Sequence, residues 1–133
     1  MGQILIVEDD PYILRVISLW LSRQGHQVLE ARCGPAALEL LKVSAPDVLV
    51  TDINMPGIDG LELIERVVAL PQRPRGIVVL TNRWDHADIR RRLARWDAYV
   101  LPKPFSPSKL SELIHELLVP AAETGAAPQP DAR

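Results

Sequence analysis

The chain of 133 residues has one cysteine, Cys33. It cannot close an internal disulfide, and a reducing, cytoplasmic setting is expected. It also lacks a basic excess: 15 Lys and Arg stand against 17 Asp and Glu, a net charge of −2. That balance argues against a general nucleic-acid binder. No apolar run approaches the roughly 18 residues of a membrane span. Near the N-terminus there is no basic leader, and acids cut the first apolar run after four residues. Neither a membrane helix nor a signal peptide is predicted. No glycine-rich loop follows that run, and acids there would repel the phosphate of a flavin. His26 and His115 have no partner at metal-ligand spacing, and Asp85-His86-Ala87-Asp88 reads as the acidic opening of a helix.

What the chain does have is alternation. Short apolar runs at about 3–8, 27–31, 47–52, 76–81 and 98–101 are interleaved with helical patterns at about 11–24, 35–44, 59–69, 85–95 and 106–118. Val, Ile and Leu dominate all but the second run, as strands covered on both faces should read. Five such repeats predict an α/β fold: a doubly wound parallel sheet in three layers with right-handed crossovers. In the first helix Val16, Trp20, Ile13, Ile17, Leu21 and Leu14 fill one broad arc. Leu14 and Leu21 lie at its edge, predicting partial exposure, and Gly25 closes the helix. Ser106-Pro107 opens the last helix as cap and first turn. The domain is expected over residues 1–119. Residues 120–133, rich in Pro and Ala, are expected to be a disordered tail or the start of a linker.

The chemistry sits at strand ends. Glu8-Asp9-Asp10 closes the first run and Asp52 the third. Packing does not explain carboxylates there, whereas ligands of parallel sheets bind outside the carboxyl ends of the strands. If these strands are neighbours, Glu8, Asp9 and Asp52 converge. Charges ~4 Å apart in a partly buried site repel by about 4 kcal/mol per pair, so a divalent metal on oxygen ligands is expected. The fourth run ends at Thr81, and the fifth leads to Lys103. One mechanism uses all of them. Glu8 and Asp9 hold Mg²⁺, Asp52 attacks a phosphoryl group, the metal and Lys103 neutralise its oxygens, and Thr81 donates a hydrogen bond.

Residues 4–11 (Ile-Leu-Ile-Val-Glu-Asp-Asp-Pro), 51–60 (Thr-Asp-Ile-Asn-Met-Pro-Gly-Ile-Asp-Gly), Thr81 and Lys103-Pro104-Phe105 together resemble the receiver domain of two-component response regulators, over about 3–118. The resemblance implies a CheY-like, flavodoxin-like (βα)5 fold with strand order 2-1-3-4-5. It implies a phosphorelay switch in which Asp52 accepts phosphate from a phosphohistidine on a sensor kinase or histidine phosphotransfer protein. Glu8, Asp9, Asp52 and the Asn54 backbone carbonyl would then hold Mg²⁺, or Mn²⁺, and Asp10 would be spare, placed to favour a helix dipole. The protein would turn over only its own phosphate and have no external substrate. Its signal would leave through the face of the fourth helix, fifth strand and fifth helix, to a downstream protein or a second copy, without direct nucleic-acid or membrane contact. Two alternatives are a phosphorylation-independent adaptor and the N-terminal receiver of a longer transcriptional regulator.

Three departures from the family pattern bear on output. Asn82 follows Thr81 where a small residue is usual, predicting slower loading from small phosphodonors. Val100 stands three residues before Lys103 where the family often has an aromatic, with Tyr99 one earlier; either a bulge restores the aromatic or the rotameric switch is absent. Trp96 stands where a small residue is common. Arg90, Arg91, Arg92 and Arg95 make the fourth helix basic, a solvated face by default or a docking surface. Trp84 reads equally as core or as an exposed anchor. Gly57 and Gly60 read as turn residues after Asp52, and Cys33 as inert.

Overall fold

Side chains alternate across five short strands and so divide the interior into two apolar layers. The computed structural model describes residues 2–55, 57–81 and 87–119. The strands are β1 (Gln3–Val7), β2 (Gln27–Ala31), β3 (Val48–Asp52), β4 (Gly76–Thr81) and β5 (Tyr99–Pro102). Between and after them lie α1 (Pro11–Arg23), α2 (Gly34–Leu41), α3 (Gly60–Val68), α4 (Ala87–Arg95) and α5 (Pro107–Leu118). All pairings are parallel in the order β2-β1-β3-β4-β5, the flavodoxin-like (βα)5 arrangement expected. Expectations for Asn82, Trp84, Asp85, His86 and the tail 120–133 lie outside the described residues.

Ile4, Ile6, Val50, Val78 and Leu80 face α1 and α5, while Leu5, Val7, Leu49, Ile77 and Val79 face α2, α3 and α4. Burying each such side chain fully stabilises the fold by about 1.5–3 kcal/mol relative to exposure. Because both faces are covered, the strands lack polar alternation, which is why they read as continuous apolar runs. Val7 pairs with Thr51, so the next residues, Glu8 and Asp52, emerge side by side at the carboxyl edge. Among the described residues no helix is long and apolar enough to cross a membrane.

Helix α1 corrects one expectation. Leu14 and Leu21, placed at the edge of its apolar arc, are buried, whereas Trp20 is 38% exposed. The core direction runs through Leu14, Ile17, Ser18 and Leu21, rotated from the centre of the sequence arc. Tyr12, Val16 and Trp20, at i, i+4 and i+8, therefore form an outer apolar ridge. Ser106 and Gly25 end their helices as read, whereas Asp10, expected as an acid favouring the helix dipole, is the N-cap itself. Asp10 caps α1, its Oδ1 accepting from Tyr12 N at 2.9 Å and Ile13 N at 3.3 Å. Ser106 caps α5, and Gly25 takes a positive φ of 95° just past α1. Cys33 sits at the N-cap position of α2 without a capping hydrogen bond.

Gly57 has φ 80°, as a turn glycine requires, but Gly60 is a different case. It opens α3, and its N–H donates to the Ile53 carbonyl at 2.8 Å. A Cβ there would stand 2.1 Å from the Asp52 carbonyl oxygen, inside any permitted contact. Only hydrogen fits between the end of β3 and the start of α3. Gly60→Ala is therefore expected to destabilise the domain by about 1–3 kcal/mol in urea denaturation, while Gly57→Ala, which meets no neighbour within 4 Å, costs only its backbone strain, on the order of 1 kcal/mol. Equal losses for the two would refute the close-approach explanation.

Candidate functional site

Loops at the carboxyl edge of the sheet bring together the acids and the lysine that the sequence set apart. Glu8 is the first residue past β1; its N–H donates to the Ala31 carbonyl at 3.0 Å, fixing it against the end of β2. Asp52 ends β3, and the buried Thr51 hydroxyl donates to the Asp52 carbonyl at 2.9 Å. Lys103 follows β5, its backbone N–H donating to the Thr81 carbonyl at 3.1 Å. That bond ties the last residue of β4 to the lysine and leaves the ammonium free to reach across the sheet edge.

The ammonium spans β5 to β1. Lys103 Nζ lies 2.9 Å from Asp52 Oδ2 and 3.3 Å from Glu8 Oε1. Asn54 N donates to Asp52 Oδ1 at 3.4 Å. Glu8, Asp9 and Asp52 each offer an oxygen, all within 4.8 Å of one another. Asp52 and Glu8 are buried while Asp9 is exposed, and an open cavity of about 360 Å³ lined by Asp9, Asn54, Met55 and Asp59 adjoins the cluster. Thr81 is buried at the end of β4.

One lysine does not balance this charge. Burial first, and then the negative charge of Asp52, push Glu8 up to about 7, with Lys103 opposing. Burial alone would lower the Lys103 ammonium, but its hydrogen bond to Asp52, the Asp52 charge and Glu8 reverse this and hold it above its ordinary value. Glu8 Oε2 is buried without a hydrogen-bond partner, an arrangement that costs free energy unless something satisfies it. A hard divalent cation would do so, since Glu8, Asp9 and Asp52 each offer a carboxylate oxygen within 4.8 Å of the others. The residues present fit such an ion.

Two features were not legible as site elements in the sequence. One is Gly60, whose missing side chain lets α3 abut the strand bearing Asp52. The other is an apolar groove of about 460 Å³ beside Lys103, lined by Tyr12, Ile13, Val16, Phe105 and Pro107 among others. Its signal was present as the Tyr12–Val16 spacing, but the groove forms only because the segment after Lys103 lies against α1. The aromatic question is also resolved. β5 pairs with β4 without a bulge, Val78 with Tyr99 and Val79 with Val100. Tyr99 consequently packs on the α1–α5 side and Val100 on the α4 side. Among the described residues the aromatic on the α4 side is Trp96, buried beneath Arg92 at 5.5 Å, its backbone carbonyl accepting from Arg73 at 3.2 Å.

Comparison with known proteins agrees with this geometry. The family described as "Response regulator receiver domain" matches residues 4–115. The transcriptional regulatory protein AfsQ1 of Streptomyces coelicolor is 42% identical over 89 residues, covering 67% of this chain and 39% of that protein. The chain thus spans about two fifths of that relative. A chemotaxis protein CheY homolog of Campylobacter jejuni is 35% identical over 128 residues, covering 94% of this chain and 98% of the relative. The solved structure of chemotaxis response regulator CheY4 of Vibrio cholerae superposes with a TM-score of 0.78 at 27% identity, covering 89% of this chain and 99% of that one. With its fold, its acidic edge and its sequence in agreement, the chain belongs to the response regulator receiver domain family.

Proposed function

We propose that Asp52 is the phosphoacceptor of this receiver, and that its phosphorylation alters the surface formed by α4, β5 and α5. The observation that carries this reading is the Lys103 ammonium 2.9 Å from Asp52 and 3.3 Å from Glu8. A carboxylate oxygen of Asp52 attacks the phosphorus of a phosphohistidine. The P–N bond breaks, its electron pair leaves with the imidazole, and an acyl phosphate forms. Lys103, poised between two carboxylates, meets the oxygens of the incoming group, and the Thr81 hydroxyl donates to one of them. Glu8, Asp9, Asp52 and the Asn54 backbone carbonyl would hold Mg²⁺ or Mn²⁺, which would supply positive charge to offset the phosphoryl oxygens.

The donor is a sensor histidine kinase or histidine phosphotransfer protein, and the groove between α1 and the segment after Lys103 supports its docking. Lys103 lines that groove and also touches Asp52, so a partner seated there brings its histidine to the acids. No external substrate is assigned; the chemistry is gain and loss of the protein's own phosphate, in the cytoplasm where such donors work. Adding a group of about −1.5 to −2 charge pulls Thr81 and Lys103 inward and biases the adjoining loops between two arrangements. The phosphorylation-independent adaptor is not favoured, since it gives no account of an acid trio and lysine gathered at one edge.

Two outcomes test the assignment. With Mg²⁺ and acetyl phosphate, the intact protein should gain the mass of one phosphoryl group. Asp52→Asn or added chelator should abolish the gain, and Lys103→Ala should slow it at least about tenfold. Wild-type protein that stays unmodified sinks the proposal. The second outcome concerns pH in metal-free buffer. Unfolded, Glu8 ionises near its ordinary 4.5; folded, it keeps its proton to about 7. The unfolded state therefore releases the proton first, and stability falls as pH rises from 4.5 to 7. Glu8→Gln should be more stable than wild type by about 1–3 kcal/mol at pH 8 and lose that advantage near pH 4.5, with Mg²⁺ stabilising wild type more than the variant. A pH-independent difference in urea midpoints would show that Glu8 is not held protonated.

A further inference from the structure

Charge in this chain is segregated. Residues 73–97 hold seven arginines, no lysine, and three aspartates, a net of +4; the remaining residues carry eight cations against fourteen acids, a net of −6. Helix α4 presents this charge. Ile89 and Leu93 on α4, with Trp96 just after it, face the core, which turns Ala87, Arg91, Ala94 and Arg95 outward and leaves Arg90 on one flank. All five are exposed. Arg91 reaches Asp88 only at 3.6 Å, with both side chains more than 70% exposed, a pairing of little strength. Arg90 and Arg95 have no acidic partner among the described residues.

We propose that the outer face of α4 docks an acidic helical segment of a partner protein, its carboxylates one turn apart meeting Arg91 and Arg95 across a seam at Ala87 and Ala94. Arg91 and Arg95 lie four residues apart, about 6 Å along the helix axis, and a partner helix repeats its carboxylates at that interval. Their guanidinium groups match carboxylates in two-pronged geometry, and the alanines let a second helix approach closely. The face does not suit a membrane: among the described residues, the exposed large apolar side chains Tyr12, Leu19, Trp20 and Val43 all lie elsewhere. Nor does it suit nucleic acid. A nine-residue helix bears few cations, Asp88 and Asp97 flank them, and the remainder of the chain is anionic, whereas backbone phosphates reward a long cationic track. The biological sense of the proposal rests on α4 belonging to the output surface, but the binding itself does not depend on phosphorylation of Asp52.

The test uses the unphosphorylated full chain and a fluorescent helical peptide of about 20 residues, with Glu at i and i+4 and Ala between. Anisotropy should show saturable binding that weakens with salt. Arg91→Glu/Arg95→Glu should weaken it at least about tenfold, the milder Arg91→Gln/Arg95→Gln by less, and Arg15→Glu/Arg23→Glu on α1 should leave it unchanged. Absence of peptide binding, or equal loss from the α1 pair, overturns the proposal. Tighter binding of duplex DNA through the same arginines also overturns it. So does sedimentation showing that the protein pairs with itself through them, since Glu112 and Glu116 on α5 would then be the occupants. Because the phosphoryl-labelling experiment is separate, either reading can fail alone.

Discussion

A single ammonium group holding two carboxylates at the carboxyl edge of a parallel sheet is the interaction on which the domain's chemistry depends. Glu8, Asp52 and Lys103 come from three strands that are not consecutive in the chain, and β1, β3 and β5 are brought into reach only by the 2-1-3-4-5 order. Everything beneath them serves that edge. Two apolar layers fix the strands, the Val7–Thr51 register sets the acids abreast, and the Lys103-to-Thr81 backbone bond anchors the lysine. One lysine does not offset the carboxylates gathered there, and burial and Asp52 raise Glu8 to about 7 in response. The trio Glu8, Asp9 and Asp52 could instead be offset by a divalent ion, which is what separates this edge from a packed core.

Much of this was legible in the sequence, for physical reasons that differ by residue. Strands buried on both faces leave unbroken Val, Ile and Leu, so the five runs announced themselves and their ends exposed Glu8, Asp52, Thr81 and Lys103 as anomalies. Ser106 and Gly25 were readable because helix ends are governed by local chemistry. The rotation of α1 was not. Its arc of apolar residues was broader than the core needs, and which edge is buried depends on neighbours from α5, so Leu14 and Leu21 proved interior and Trp20 did not. Gly60 was likewise read as a turn residue, because a glycine's sequence does not say whether it supplies torsional freedom or empty space.

The placement of aromatic side chains follows from strand parity. A one-residue offset on a β-strand moves a side chain to the opposite face, and β5 holds its register. Tyr99 thus belongs to the α1–α5 layer, and the large ring under α4 is supplied by Trp96 from the helix side. Helix α4 is fastened by Trp96, Ile89 and Leu93 and turns its cations outward. Arg92, on the same helix, lies over that indole, and Arg73 donates to the Trp96 backbone carbonyl, tying the end of α4 to the segment before β4.

Lys103 forms part of the groove against α1 as well as the floor beneath the acids. A phosphodonor seated in that groove, as proposed, would press on the same side chain that grips Asp52, so recognition and reactivity would share a wall, with Tyr12 and Val16 on the far bank. A molecule that seated badly against α1 would then also present its phosphate at the wrong angle.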